Sequence, residues 1–335
     1  MNAVTRRSLL RASAAASVAP ALIGQAAAPV VLRMSSSVAN DPQYGNGRVY
    51  RDNLVKALAD GGLADRITIQ FFPDNQLGQE IDVVNSVKLG VVQLMVTGSS
   101  IWANLVPSFG LLDLGYLFKS YEQQTRAFDA GAAKPLDAML LQGARVRAIG
   151  WAYNFGARSV LCKTPVHGPA DLAGKKIRTL PSPTITDVLR LMGAAATPLA
   201  FGEIYSALQA GVLDGLEHDP PTILSSKFYE TAKNYSLTEH IFSPLGLFFS
   251  DVAYQRMEPT LRDGFLAAAG KATVATRAHG LSVVSEAMDK LKAQGVTVIE
   301  PDREAFRARV LPQTAAFVKA HPDAQPIVET IQATA

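Results

Sequence analysis

The sequence predicts an α/β protein built as two similar lobes, each a sheet flanked by helices. Three observations carry this. Strand-like and helix-like runs alternate from Val30 to Val96, and the same alternation returns from Lys175 to Glu217. Two helix-to-strand junctions also echo each other, Leu89-Gly90-Val91-Val92-Gln93 and Ala210-Gly211-Val212-Leu213-Asp214. In both, Gly is the natural helix stop ahead of a strand.

Taken in order, Val30–Met34 is a β-branched and apolar run that reads as a strand. It ends in Ser35-Ser36-Ser37, and a polar loop with Gly45 and Gly47 follows. Tyr50, Leu54 and Leu58 recur four apart, which is one helix face, until Gly61-Gly62 stops the helix. Ile67–Phe71 alternates as a strand. A helix from about Glu80 to Leu89 carries Ile81, Val84 and Lys88 on one side, and Val91–Val96 is the next strand. Downstream, Lys175–Thr179 reads as a strand and Thr184–Met192 as a helix through Ile185, Val188, Leu189 and Met192. Glu203–Ala210 reads as a further helix and Val212–Glu217 as a strand. Past Pro259 the chain is mostly helical, with one strand near Val296–Ile299 and a helix through Phe306 and Phe317.

Residues 1–28 stand apart from this pattern. Arg6, Arg7 and Arg11 precede an Ala-rich apolar stretch from Ala12 to Ile23, and Ala26-Ala27-Ala28 closes it. That is the pattern of an export signal, and the adjacent Arg6-Arg7 is its twin-arginine form. Three arginines and no acid leave with the segment, so the formal net charge falls from +3 to 0. A balanced chain argues against a nucleic-acid binder or a polybasic membrane binder. No later stretch approaches the ~20 apolar residues of a membrane span. The remainder is long enough for two cores. Its one cysteine, Cys162, excludes an intramolecular disulfide and a Cys-based zinc site.

Several stretches together resemble one family. Gln76-Leu77-Gly78 follows a Phe-rich strand. Pro169-Ala170-Asp171-Leu172-Ala173-Gly174-Lys175-Lys176-Ile177-Arg178 leads to Met192-Gly193-Ala194, then to Thr197-Pro198-Leu199-Ala200-Phe201-Gly202-Glu203-Ile204-Tyr205. Leu208 to Gly215, Lys227-Phe228-Tyr229-Glu230 and Thr238-Glu239-His240 continue the series. In order and spacing these resemble the DctP-type substrate-binding proteins of TRAP (tripartite ATP-independent periplasmic) transporters.

The resemblance implies a two-lobed clamp of the type II-like periplasmic-binding-protein form. Lobe I would be residues 29–155 plus 244–285, and lobe II residues 156–243 plus 286–335. It implies a monomer in the periplasm that captures a small organic acid and delivers it to the small and large integral permease subunits. No cofactor and no metal are expected. No Walker-type phosphate loop occurs, in keeping with a chain that handles no nucleotide.

The resemblance also points to site residues. Arg178 ends an apolar strand, and the matching family arginine binds the substrate carboxylate. A planar guanidinium offers two parallel donors matched to carboxylate oxygens. Arg158 matches a second arginine near the carboxylate, and Phe201 an aromatic that packs on the ligand. Tyr205 offers a hydroxyl. Glu217-His218-Asp219 follows a strand at the lobe edge, where sugar-acid relatives often have Asn in place of His218. Glu217 and His218 are therefore candidates, His218 as a hydrogen-bonding wall. Three consecutive strand residues face alternate sides, which argues against one metal ion. Ser35, Ser99, Ser100 and Trp102 follow strand ends, where clefts form in parallel sheets.

One strong arginine among hydroxyls, Tyr and His suits a hydroxylated monocarboxylate such as a sugar acid, with a C4-dicarboxylate or keto acid as the alternative. Two other classes compete: a secreted hydrolase, for which no Gly-x-Ser-x-Gly elbow exists, and a ligand sensor.

Overall fold

The computed structural model describes residues 28–335, so the export segment read from Arg6-Arg7 lies outside the described residues apart from Ala28. Eleven strands form two sheets among the described residues. They are β1 Val30–Ser35, β2 Ile67–Phe72, β3 Leu94–Gly98, β4 Val146–Tyr153, β5 Arg158–Cys162, β6 Lys176–Thr179, β7 Ala195–Pro198, β8 Gly215–His218, β9 Asn234–Ile241, β10 Pro244–Ser250 and β11 Thr297–Ile299. The helices are α1 Asn46–Asp60, α2 Glu80–Lys88, α3 Tyr121–Ala127, α4 Ala133–Ala144, α5 Pro183–Met192, α6 Ile204–Gln209, α7 Pro220–Ser225, α8 Asp251–Arg256, α9 Pro259–Ala293, α10 Arg303–Val310, α11 Pro312–Ala320 and α12 Gln325–Ala333.

The first sheet has the order β2-β1-β3-β10-β4 and the second β11-β9-β5-β8-β6-β7. Within the first, β2, β1 and β3 are parallel, and β10 runs antiparallel between β3 and β4. Every residue of β10 is buried, as a central strand covered on both faces requires. Within the second, β8, β6 and β7 are parallel while β5 is antiparallel to β8 and β9. The chain passes between the sheets at Asn154–Ala157 and again at Phe242-Ser243.

The 35-residue helix α9 makes a third passage. Pro259 opens it, and Glu258 caps it by accepting from the Thr260 and Leu261 amides at 2.9 and 2.8 Å. Its early turns bury Leu261, Phe265, Ala268, Ala269 and Ala272 with the first sheet's Leu32, Met34 and Leu247. Its last turn places Leu291 among Leu161, Leu213, Leu216 and Tyr235 of the second sheet's layer.

Local differences from the sequence reading have local causes. Helix α2 buries Glu80, Val83, Val84 and Val87, so its inner face is turned away from Lys88. Val91 and Val212 are exposed at 53% and 56%, and the strands begin later, at Leu94 and Gly215. Gly90 and Gly211 hold φ of +77° and +75° at the two junctions, so the chain is still turning there. The segment from Phe306 to Phe317 is two helices: Pro312 opens the second at the one position where its missing N–H costs nothing.

Candidate ligand-binding site

Facing ends of the two sheets enclose a small cavity of about 30 Å³. From the first sheet's side it is lined by Ser36, Ser37 and Val38 after β1, Asn46 at the start of α1, Glu80 at the start of α2, Val96, Thr97 and Gly98 of β3, Ser100, and Asn154 after β4. The second sheet's side contributes Arg158, Leu180, Phe201 and His218. Three larger surface hollows lie elsewhere and hold none of these polar groups.

Arg178, on β6, is fully buried and is not part of the cavity wall, which it approaches through the ring of Phe201. Its Nε donates to the Leu199 carbonyl at 2.8 Å, while Nη1 and Nη2 find no acceptor among the described residues. The guanidinium carbon lies 6.0 Å from the centre of the Phe201 ring, which lines the cavity. Burial pulls the guanidinium down to about 10, partly offset by Glu217. It is still a cation at neutral pH, desolvated and without a paired anion, an arrangement that costs several kcal/mol.

Arg158 is buried too, but it is matched. Its Nε and Nη2 reach the two carboxylate oxygens of Glu217, and Nη2 also donates to the Glu217 carbonyl at 3.1 Å. Burial pushes the Glu217 carboxyl up, but the charge and hydrogen bonds of Arg158 and His240 together outweigh it and hold the group far below the usual carboxylate range. His240 Nε2 sits 3.6 Å from the same carboxylate. Glu217 thus anchors Arg158 and does not line the cavity, a correction to its reading as a ligand contact. Asp219 is a helix cap: its Oδ1 accepts from the Thr222 amide at 2.9 Å. Its Oδ2 is 2.7 Å from Nδ1 of His218, which does line the cavity.

Ser99 and Ser100 are committed to Asp113. Ser100 Oγ donates at 2.8 Å, Ser243 Oγ at 3.1 Å, and Ser99 Oγ lies 3.3 Å away. Burial pushes the Asp113 carboxyl up to about 6, against these hydrogen bonds and the charge of Arg158. Ser100 keeps a place in the cavity wall and Ser99 does not.

Three further candidates are corrected by position. Ser35 is buried within β1, registered against Phe72 and Met95, and the lining hydroxyls are Ser36 and Ser37 one and two residues on. Trp102 is core: fully buried, with its ring 4.8 Å from that of Phe248. Tyr205 donates its hydroxyl to Glu230 at 2.6 Å on the surface. Sequence reasoning missed Asn46, Glu80, Thr97 and Asn154. Glu80 is 8% exposed and accepts from Thr97 Oγ1 at 2.5 Å. The available signal was position, because Glu80 follows Gln76-Leu77-Gly78 and Asn154 sits four residues before Arg158.

A cavity between two sheets, with hydroxyls, carboxamides and Glu80 on one side and Arg158, Phe201 and His218 on the other, suits a solute-binding clamp. The chain belongs to the DctP family, the bacterial extracellular solute-binding proteins of family 7, whose model matches residues 48–320. It is 31% identical over 277 residues to a solute-binding protein of Roseobacter denitrificans, covering 83% of each chain. It is also 31% identical over 242 residues to the 2,3-diketo-L-gulonate-binding periplasmic protein of Escherichia coli, covering 72% of this chain and 73% of that one. Among solved structures, a TRAP periplasmic solute-binding protein of Polaromonas bound to D-erythronate is 32% identical with a TM-score of 0.84, covering 91% and 98%. One of Roseobacter denitrificans with β-D-glucuronate is 27% identical with a TM-score of 0.85, covering 91% and 100%. The protein is a TRAP-type solute-binding protein. Among the described residues no helix is long and apolar enough to cross a membrane.

Proposed function

We propose that this protein captures a sugar acid, a hydroxylated monocarboxylate, and releases it to the small and large integral subunits of a TRAP permease without chemical change. The observation that carries this is Arg178, whose two terminal nitrogens are buried and lack an acceptor. A carboxylate supplies the missing charge and accepts both donors in parallel. Ser36, Ser37, Asn46, Thr97 and Asn154 offer the hydrogen bonds that hydroxyls need. Glu80 weighs against a C4-dicarboxylate, because a second carboxylate in the same small cavity would face its charge. The relatives' ligands, D-erythronate and β-D-glucuronate, fit the same chemistry.

Residues 29–155 with 244–285, and 156–243 with 286–335, act as the two lobes. The cavity's volume of about 30 Å³ is far below the ~300 Å³ at which small-molecule pockets begin, so seating a ligand requires the walls to part. The lobes then close on the ligand because it touches both. The chain works as a periplasmic monomer, exported by the twin-arginine route, and needs no metal or nucleotide.

A thermal-shift screen of organic acids tests the reading. A ligand at 100 times its Kd should add ~2.7 kcal/mol of stability. Aldonates or uronates should raise Tm where succinate does not. A shift with succinate alone, or turnover of any acid, would overturn it.

A further inference from the structure

The proposed function leaves open which sugar acids fit, and His218 narrows the choice. Arg178 is registered against Leu216, two residues before His218, so Arg178 and His218 leave the same face of the sheet from adjacent strands. Both reach Phe201, whose ring centre is 6.0 Å from the guanidinium carbon and 5.8 Å from the imidazole. A carboxylate held by Arg178 would share this face, and the Phe201 ring, with His218.

The tautomer of His218 follows from Asp219. That carboxylate is fully buried, and one oxygen is already committed to capping α7. Its other oxygen lies 2.7 Å from Nδ1. Two lone pairs at that separation would repel, so Nδ1 carries the proton and donates it to Asp219. The Asp219 amide also lies 3.0 Å from Nδ1, but acceptance from it would leave the buried carboxylate facing a bare nitrogen. Burial and the charge of Arg158 disfavour the imidazolium form, against the pull of Asp219 and Glu217. The neutral ring thus offers the cavity Nε2, which holds a lone pair and no proton.

We propose that His218 makes this site select 2-hydroxy acids, the aldonates, over 2-oxo acids and pyranose uronates. A C2 hydroxyl donates to Nε2. A 2-oxo group, or the ring oxygen beside a uronate carboxylate, has only lone pairs to present and leaves a buried acceptor unsatisfied. A site built around a substrate hydroxyl rejects analogues lacking it far more strongly than an apolar pocket does. The inference rests on the sugar-acid reading above.

Calorimetry near neutral pH on the whole exported protein tests it, with D-gluconate and D-erythronate as 2-hydroxy probes and 2-oxo-D-gluconate and D-glucuronate as their counterparts. At least one 2-hydroxy probe should bind about tenfold or more tighter than either counterpart. In His218→Asn the carboxamide turns either a donor or an acceptor to the cavity, so that ratio should shrink to about threefold or less. A melt of the variant checks its fold, and if it fails to fold the wild-type ratio alone decides. Equal or tighter binding of the 2-oxo acid or the uronate to wild type would overturn the selectivity and leave the sugar-acid function standing. Binding of none of the four would overturn both.

Discussion

Two buried arginines stand on β5 and β6 of one sheet, and their surroundings are opposite. Arg158 is met by both oxygens of Glu217, while Arg178 has one backbone carbonyl and two terminal nitrogens without an acceptor. The same side chain is fully paired in one place and keeps two open donors in the other. Residue type and burial do not separate them, because both are nearly inaccessible. Pairing does. A matched buried charge is satisfied within the fold, and an unmatched one leaves donors that a ligand's carboxylate could take up.

The largest effect expected from this contrast is on stability at Arg158. Arg158→Ala strands Glu217, which is fully buried, and breaking a buried pair costs about 3–5 kcal/mol. The variant should melt far below wild type with no ligand present. Arg158 lines the cavity as well, so the brace to Glu217 adds to its place near the ligand. An unchanged melting temperature would erase the distinction between the two arginines.

Asp113 gives a smaller effect that depends on pH. Its carboxyl is raised from 3.8 to about 6, so the native state binds its proton more tightly than the unfolded chain does. The stability it contributes is complete below about pH 4 and is lost as pH rises through about 6. Asp113→Asn stays neutral, so its stability relative to wild type, followed by melting, should climb between about pH 4 and 7 by an amount on the order of 1–3 kcal/mol. The buried, depressed imidazoles of His218 and His240 work in the reverse direction, but they are present in both proteins and cancel in the difference. A pH-independent difference would refute the buried acid as the cause.

The smallest of these effects falls at the lip of the cavity, next to Phe201. The carboxamides of Gln79 and Asn75 come within 3.0 and 3.3 Å of where a Cβ would stand at Gly202, so the first sheet's side approaches the second there. Gly202→Val should hold the lip apart and weaken ligand binding by about 1 kcal/mol, roughly fivefold, with little change in the ligand-free melt. Tight binding with normal compaction in small-angle scattering would show that this contact does not govern closure.

Much of this was legible in the sequence and some of it could not be. The paired Gly90 and Gly211 junctions and the alternating runs gave the α/β layers, because those signals are local. The insertion of β10 between β3 and β4 was not readable, since its partners lie more than 90 residues upstream in the chain. At the site, Arg178 and Phe201 were legible through the family resemblance and His218 as a departure from it, more than through their own local pattern. Trp102 and Tyr205 were candidates too, and only packing assigns one to the core and the other to Glu230. Asn46, Glu80 and Asn154 are ordinary polar residues at helix starts and loop positions, and the topology alone brings them to one cavity.

The central claim is that Arg178 is the carboxylate anchor, and calorimetry on Arg178→Ala and Arg178→Lys with the acid found by thermal shift tests it directly. Alanine should cost 2–5 kcal/mol, roughly 30-fold to several-thousand-fold in Kd, because the ligand's carboxylate is left buried and unpaired. Lysine keeps the charge but loses the parallel donors, so its loss should be smaller and still clear. The ligand-free melt of Arg178→Ala should match wild type or exceed it, since an unmatched buried charge has been relieved, and that of Arg178→Lys checks that the variant is folded. Binding by Arg178→Ala within about threefold of wild type, under ~1 kcal/mol, would contradict the assignment.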